Sequence, residues 1–302
     1  MHDAELAVDD ALARALITAS FPELGGRELR RVRTAGTVNT IIRVGDDLVT
    51  RFPLLASTPA ELAVEAEAMT ALAAACPFPV PLPYGIGSGD DAYPSAWSVQ
   101  SWLRGRTADC EEHASSASLA TDVAVLIRAL RAADTAGRVF DGRGRGGDLA
   151  DHDGWVEECL QRSGHLLDAP RAARLWARLR ALPPAGRDTM SHRDLTPFNL
   201  LIEDRDGETR LAGVLDGGGF GPADRALDLV AAWHLFDAPA RDILREGVDA
   251  DDVEWLRGGA WAFQQAIGLG WYYEETNPTM SALGLSTIRR LLADQEMSAL
   301  RG

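Results

Sequence analysis

Lysine is absent from this chain. All 30 of its basic residues are arginine, so any role that usually falls to an ammonium group must be filled by a guanidinium. That group is a permanent cation with a planar fork of donors, able to bind phosphate but unable to act as a base. A GC-rich coding bias accounts for the replacement, and the chemical consequence holds whatever its origin. Cysteine is scarce as well. The three present (Cys76, Cys110, Cys159) are odd in number, far apart and without partners at zinc-ligand spacing. They read as reduced, buried thiols rather than as disulfides or metal ligands. No apolar run reaches the length of about 18 residues needed to span a bilayer. The opening "MHDAELAVDDALARAL" is acidic and amphipathic, unlike the basic-then-apolar pattern of a secretory leader. A cytoplasmic protein is the expectation. Positive charge is also in short supply: the net charge is −15. That argues against a nucleic-acid backbone as ligand and suits a polycationic small substrate.

What is present is ordinary for a globular protein, with 46% apolar and 25% charged residues. A length of 302 residues fits one large domain or two lobes sharing a cleft. Residues 4 to 20 show helical spacing of apolar positions. "LRRVRTAGTVNTIIRVGDDLVTRFP" reads as strand, Gly-containing turn, strand, "GDD" hairpin turn and strand. "TPAELAVEAEAMTALAAAC" reads as a helix capped by Thr58, with Pro59 in its first turn and Glu61 completing a capping box. "PFPVPLPYGIG" is too rich in proline for helix and fits an extended edge segment, and "AWSVQSWLRG" returns as an apolar strand. Beyond residue 103 the pattern turns helical, with candidates at 115–135, 153–163, 169–181, 223–237, 251–273 and 280–299, around a loop-rich stretch at 190–220. "DGRGRGGDLAD" (141–151) is the one low-complexity segment. Its glycines predict a mobile loop, with a phosphate-binding loop as the alternative. The expected fold class is α+β: a small sheet lobe with one inserted helix over residues 1–103, and a larger, mainly helical lobe over 104–302.

The chemistry concentrates in "SHRDLTPFNLLIE" (191–203). Asp194 lies on a loop that Pro197 keeps out of regular helix, where a carboxylate can take a proton from an attacking hydroxyl. Asn199, five residues on, offers a neutral oxygen to a hard cation. A hairpin turning at "DRDGE" then leads to "LAGVLDGGG" and is expected to bring Asp216 back beside Asn199. One base and two oxygen ligands at the mouth of a hairpin describe a phosphoryl-transfer site. His192-x-Asp194-x4-Asn199 alone is a modest signal; followed by "VLDGGGFGPADRALDL" it becomes specific.

On these residues the chain resembles the aminoglycoside/macrolide phosphotransferase family, the antibiotic kinases, within the protein-kinase-like bilobal fold. "HRDLTPFN" is similar to the family's HGD-L-x-P-x-N, "VLDGG" to its I-D-[FW], and "GPADRALDLVAAW" to its G-D-P-x-x-D-L-A. The resemblance implies Asp194 as catalytic base, Asn199 and Asp216 as magnesium ligands, and Asp224 and Asp228 as structural residues tying the metal loop to the following helix. It implies that Arg51, at the end of "DLVTRFP", grips nucleotide phosphates where protein kinases carry lysine. It also implies that Glu65 of "VEAEAMTAL" pairs with Arg51. Glu61 shares a face with Glu65 and remains a rival; Glu67 reads as a solvated helix charge. "TAGTVNT" (34–40) takes the place of the Gly-rich nucleotide loop, with backbone N–H groups near Gly36 and Thr37 facing phosphate. "QSWLRG" takes the place of the hinge, where main-chain groups of Gln100, Ser101, Trp102 and Leu103 would read a purine edge. Trp102 itself reads as packing between the lobes. The resemblance covers roughly residues 30 to 275.

Two positions depart from the family pattern. Arg193 stands where glycine is usual, as in protein kinases, but only seven residues separate Asp216 from Asp224, too few for a phosphorylated activation loop. Gly217 replaces the aromatic after the metal aspartate, which predicts a lost packing anchor and a looser strand. "GWYYEETNP" (270–278) is a candidate acceptor wall, with Tyr272 and Tyr273 to stack on a ring and Glu274 and Glu275 to meet cationic groups; a helix end packing on the lobe is the other reading. Trp233, His234 and Trp261 read as core or pocket lining. The expectation is therefore a magnesium-dependent kinase moving phosphate from ATP or GTP to a small-molecule hydroxyl, most readily an antibiotic, acting as a monomer or weak homodimer. A metabolic kinase of an amino alcohol or sugar is the first alternative. A nucleotide-binding pseudokinase is the second, disfavoured because Asp194, Asn199 and Asp216 are all present.

Overall fold

The computed structural model describes residues 5–32 and 38–300, which divide into two compact units. One comprises Met1–Ala74, Pro79–Arg104 and a return segment, Val214–Gly219; the other comprises Ala75–Phe78, Gly105–Gly213 and Phe220–Gly302.

The first unit begins with helix α1 (Asp10–Ser20), which starts later than the apolar spacing suggested because the Asp9 side chain caps it by accepting from the Leu12 N–H. Its frame is an antiparallel sheet of β1 (Leu29–Val32), β2 (Asn39–Val44), β3 (Leu48–Pro53), β4 (Pro83–Gly87) and β5 (Trp97–Ser101), in the order β1-β2-β3-β5-β4. The proline-rich strand β4 lies at the edge, where a missing N–H donor is tolerated. Leu16 and Ile17 of α1 join Ile42, Val44, Phe52, Trp97 and Val99 in one buried cluster, in which Phe52 stacks on Trp97 at 4.8 Å between centroids. Helix α2 (Pro59–Ala75) opens on the expected capping box: the Thr58 N–H donates to Glu61 Oε2 at 2.8 Å and the Glu61 N–H to Thr58 Oγ1 at 3.2 Å.

The return segment is tied to this unit by the Val214 N–H, which donates to the Pro79 carbonyl at 2.9 Å. Gly217 is buried there, and a Cβ at that position would collide with Cδ2 of Leu72 from α2. The strand anchor expected to be lost with the aromatic is thus supplied from the opposite side. Leu72, only 1% exposed, fills the space that a side chain at 217 would need.

The second unit holds β6 (Arg106–Thr107), α3 (Ala117–Ala132), α4 (Asp153–Arg162), α5 (Ala169–Leu179), β7 (Thr189–Ser191), β8 (Leu200–Arg205), β9 (Glu208–Val214) and β10 (Gly221–Ala223). It continues through α6 (Val230–Leu235), α7 (Ala238–Val248), α8 (Asp252–Tyr272), α9 (Pro278–Ala293) and α10 (Gln295–Ala299). Strands β6, β8 and β9 form one small sheet, and β7 pairs with β10 in another. The β8–β9 hairpin turns at Asp206 (φ 53) and Gly207 (φ 81), the left-handed pair that a tight hairpin of this twist requires. Helix α8 is the central post. It packs against α4, α5, α6 and α9, with Trp176 stacked on Phe263 at 5.5 Å. Trp233 meets Trp255 at 4.6 Å.

Two helix expectations need correction, and one helix was not expected. The helix read over 223–237 starts only at Val230, because Gly221–Ala223 pairs with β7 and residues 227–229 make a tighter turn. Residues 238–248 form a separate helix that the reading missed; Asp237 caps it and Pro239 fits its first turn. The helix read over 280–299 begins at Pro278 and divides at Asp294, whose side chain caps α10. Cys76, Cys110 and Cys159 are free thiols, but of the three expected to be buried only Cys159 is; Cys76 and Cys110 are partly exposed. No helix of the described residues is long and apolar enough to cross a membrane.

Gly217→Val should lower the melting temperature through overpacking against Leu72, by the equivalent of about 1–3 kcal/mol. Leu72→Ala in the same chain should recover part of that loss. Thermal unfolding of both single variants and the double variant checks this; strictly additive losses would be the contrary result.

Candidate active site

The site in the second unit is built from the end of β7. As the chain leaves Ser191, Arg193 adopts φ 70, a left-handed conformation that disfavours any residue but glycine by about 1–2 kcal/mol. This explains why glycine is usual here in sequences of the resembling family. One carboxylate holds the conformation, together with the Ser191 hydroxyl, which accepts the Arg193 N–H at 3.0 Å. Asp228, 2% exposed, accepts the Ser191 hydroxyl at 2.9 Å, the His192 N–H at 2.9 Å and the Arg193 N–H at 3.2 Å. Beyond the bend, Leu195 is fully buried, and Asp194 is left projecting, with 42% of its side chain exposed. The turn Pro197–Asn199 brings Asn199 back, so that its Nδ2 donates to the Asp194 carbonyl at 2.8 Å and to Oδ2 at 3.1 Å. The Asp194 carboxylate is thereby aimed while keeping solvent access, the condition for a group meant to meet a substrate hydroxyl.

The structure revises the expected role of the two flanking aspartates. Asp228 ties down the backbone of the 191–193 loop. Asp224 accepts from the Trp261 indole at 2.9 Å and from the Arg257 guanidinium, both on α8, while its own N–H donates to the Gly146 carbonyl at 2.8 Å. Arg193 is held within its own unit: it donates to the Pro222 carbonyl at 2.6 Å, pairs with Asp141 at 3.3 Å and lies over the Phe140 ring, while its buried Nε has no hydrogen-bond partner among the described residues. A second arginine, which the sequence reading did not single out, reaches the site from the glycine-rich 141–151 segment. Arg145 Nη1 lies 3.3 Å from Asp194 Oδ1.

Arg51, Glu65 and Asp216 fall in the first unit. Arg51 extends from β3, where it pairs with Ile41 of β2 and Ser98 of β5. Its Nη2 meets Asp216 Oδ1 at 2.7 Å. Asp216 itself is held at φ 59, another left-handed non-glycine residue, and such strain gathers where function positions a side chain. The ion pair of Arg51 is thus with Asp216 rather than with Glu65. Glu65 stands beside them, its side chain against Gly218. Partial burial of its carboxyl pushes its pKa up, the Arg51 charge pulls it down, and the Asp216 and Glu61 charges push it up further. Glu61 is occupied in the cap of α2, whose hydrogen bonds from Thr58 lower its pKa.

Other expected residues are placed as follows. Gly36 and Thr37 lie outside the described residues. The backbone of Gln100 is paired on both sides, with Val49 and with Pro83. The N–H groups of Ser101 and Trp102 donate to the Leu82 and Asp47 carbonyls. The Trp102 ring lies under Arg43, 5.3 Å from the guanidinium carbon, and Leu103 follows directly. Tyr272 is the last residue of α8, exposed and edge-on to both Trp271 and Tyr273. Glu274 pairs with His165 at 2.9 Å, and Glu275 is exposed. Trp233, His234 and Trp261 are core residues, 0% exposed. His234 bridges Thr287 and Gln265, and burial pushes its pKa down to about 4.

The donor chemistry can be compared with magnesium. Among the described residues no group of three or more His, Cys, Asp or Glu side chains converges as a dedicated metal cage. Asn199 turns its amide nitrogen to Asp194, which leaves its oxygen as the atom it has to offer. Asp216 offers a charged oxygen. A sparse set of hard oxygens suits magnesium, which keeps several waters and is completed by substrate phosphates.

A model of the phosphotransferase enzyme family matches residues 29–261. No curated protein matches the sequence. Among solved structures, the chain is similar to the GDP and kanamycin complex of APH(2")-IIia, at 18% identity and a TM-score of 0.70, covering 92% of this chain and 97% of that one. It is similar to the macrolide 2'-phosphotransferase MphH from Brachybacterium faecium at 19% identity and a TM-score of 0.60, over 93% and 98% of the two chains. The streptomycin–ATP ternary complex of APH(2")-IIa matches at 16% identity and a TM-score of 0.62, over 94% and 97%. Likeness at this level shows the fold, and the expectation of an α+β, protein-kinase-like fold with a small antiparallel sheet and a helical C-terminal region is borne out.

Glu65 yields a pH prediction. A carboxyl whose folded pKa exceeds its unfolded value binds protons more readily when folded, so stability is lost as pH rises above about 4.5 through the folded pKa. Glu65→Gln removes that loss. Denaturant unfolding should show the variant as stable as the parent at pH 4 and more stable at pH 7. A variant that is less stable at pH 7 would contradict this balance of burial and charge.

Proposed function

Because the chain belongs to the phosphotransferase enzyme family, we propose that it transfers the γ-phosphoryl group of ATP or GTP to a hydroxyl of a small molecule. The proposed acceptor is an antibiotic of aminoglycoside, macrolide or nucleoside type, and the proposed consequence is resistance. The observation that carries this reading is the solvent-accessible Asp194 carboxylate, aimed by Asn199 on a loop whose strained bend is fixed by buried Asp228. Support for the acceptor and donor classes comes from solved structures of the same fold that hold kanamycin with GDP and streptomycin with ATP. The protein would act in the cytoplasm, as a monomer or weak homodimer, without nucleic acid or membrane as partner.

In this mechanism Asp194 orients the acceptor hydroxyl and takes its proton as the oxygen attacks the γ-phosphorus. The bond from that phosphorus to the bridging oxygen breaks, and the nucleoside diphosphate leaves with the electron pair. Arg51 grips the nucleotide phosphates with its two-pronged fork, and Glu65 tempers its charge. Asp216 and Asn199 would hold magnesium, which neutralises phosphate charge when bound with nucleotide. Main chain near Leu103 and backbone N–H groups near Gly36 and Thr37 would contact the nucleotide, and Tyr272, Tyr273, Glu274 and Glu275 the acceptor.

One panel tests the reading: aminoglycosides, macrolides and nucleoside antibiotics, each with MgATP and MgGTP, followed by mass spectrometry for the phosphorylated product. With an accepted substrate, Asp194→Ala should lower kcat by about 10²–10⁴-fold, while the nucleotide Kd stays within about threefold of the parent, because the base touches the acceptor and not the nucleotide. Turnover near the parent rate at saturating substrate would remove Asp194 from the mechanism.

A further inference from the structure

The glycine-rich segment 141–151 has no part in the mechanism above, yet it delivers a guanidinium to the carboxylate on which that mechanism depends. Arg145 Nη1 is 3.3 Å from Asp194 Oδ1, and among the described residues its fork makes no other hydrogen bond. The contact is long, single-pronged and made by a side chain 37% exposed, so little resists its exchange for a better partner. Its placement, by contrast, is firm. Gly146, the next residue, lies at φ 128, where a Cβ would meet the Ala223 Cβ at 2.6 Å and the Phe140 ring at 3.1 Å. Its carbonyl accepts the Asp224 N–H at 2.8 Å. On the other side, Asp141 is held by Arg193, and the Phe140 N–H donates to Asp188 at 2.8 Å. Between these anchors Gly142 and Gly144 take left-handed φ values of 77 and 71 with open space around them. The result is a fixed base with a loose tip, and an arginine at the junction of the two.

We propose that Arg145 is a catalytic arginine supplied in cis, which moves from Asp194 onto the phosphoryl group as that group is transferred. The proposal rests on the phosphotransferase reading given above. A hydroxyl that hydrogen-bonds Asp194 and attacks phosphorus brings the equatorial phosphoryl oxygens within reach of a cation already touching that carboxylate. In a loose transition state charge spreads over those three oxygens, and a preorganised donor aimed at developing charge acts on the rate rather than on ground-state binding. The same movement releases Asp194 Oδ1 to accept the hydroxyl proton while Asn199 keeps its hold on Oδ2. His152 is held low first by burial and then by the Arg145 charge, and His234 is low for the same leading reason.

Calorimetry separates this role from others without requiring a known acceptor. The probes are MgADP and MgGDP, each with and without aluminium fluoride, which mimics the phosphoryl group in flight. Arg145→Ala should leave the Kd of the diphosphate alone within about threefold and weaken the fluoride complex by about 100-fold, the scale of a lost transition-state donor. Arg145→Lys should restore part of that loss. Equal fluoride-complex affinity in parent and Arg145→Ala overturns the proposal, as does an equal loss for the diphosphate alone, which would make Arg145 a ground-state binding residue. If the parent binds the diphosphates in neither condition, the phosphotransferase reading fails and this inference fails with it. A parent that binds them with no Arg145 effect overturns this inference alone.

Discussion

One carboxylate, that of Asp228, governs the geometry of the loop that carries Asp194. It is 2% exposed, and an uncompensated charge at that depth would be untenable. Three donors from the consecutive residues Ser191, His192 and Arg193 compensate it. In return it holds Arg193 at φ 70, and this bend leaves Leu195 buried and Asp194 facing outward. The neighbouring Asp224 anchors the other arm that reaches Asp194, since its N–H donates to Gly146, directly after Arg145. Both approaches to the Asp194 carboxylate therefore hang from the short stretch 224–228. The Asp224 carboxylate is fixed in turn to Arg257 and Trp261 of the central helix α8.

The absence of lysine becomes intelligible once the pairings are seen. Arg193 binds a carbonyl and a carboxylate and lies over an aromatic ring. Arg257 joins Asp224 to the carbonyls of Leu182 and Pro183. Arg131 and Arg225 both neutralise buried Glu254. Arg193 and Arg257 draw on a rigid fork of several donors, which a point charge with rotating hydrogens would fill less completely, whereas Arg131 and Arg225 each meet Glu254 through a single nitrogen. In the first unit the same chemistry sets Arg51 between Asp216 and Glu65, one fixed cation facing two carboxylates. That corner sets two carboxylates against one cation, and burial there raises the pKa of Glu65 at a cost to stability above that pKa.

Much of this was legible in residue order. The strands of the first unit followed from alternation and turn residues, the cap of α2 from Thr58 and Glu61, the edge strand from its prolines and the β8–β9 turn from Asp206 and Gly207. Asp194 and Asn199 were legible because they meet across one short loop, so their spacing in sequence reflects their spacing in space. What escaped reading depends on distant partners. Nothing near Asp216 in sequence marks Arg51 as its ion-pair partner, and nothing near Gly217 marks Leu72 as the side chain that fills its space. The glycines at 142, 144 and 146 signalled an unusual backbone, but not that Arg145 would end beside Asp194. Helix α7 was missed because Asp237 and Pro239, its cap and first turn, also read as the end of the preceding helix. The left-handed backbone at Arg193 left only an indirect trace, as a departure from glycine.

The central claim is that buried Asp228 fixes the strained loop so that Asp194 can act. It is tested most directly by comparing turnover of Asp228→Asn with that of the double variant Asp228→Asn/Arg193→Gly, at a temperature where both are folded. An amide at 228 presents donors to backbone N–H groups and releases the bend, so the single variant should lose about 100-fold in kcat, the scale of an ångström of misplacement. Glycine at 193 takes the left-handed conformation without strain, so the double variant should recover part of the loss. A single variant that turns over at the parent rate, or a double variant no better than the single, would contradict the account.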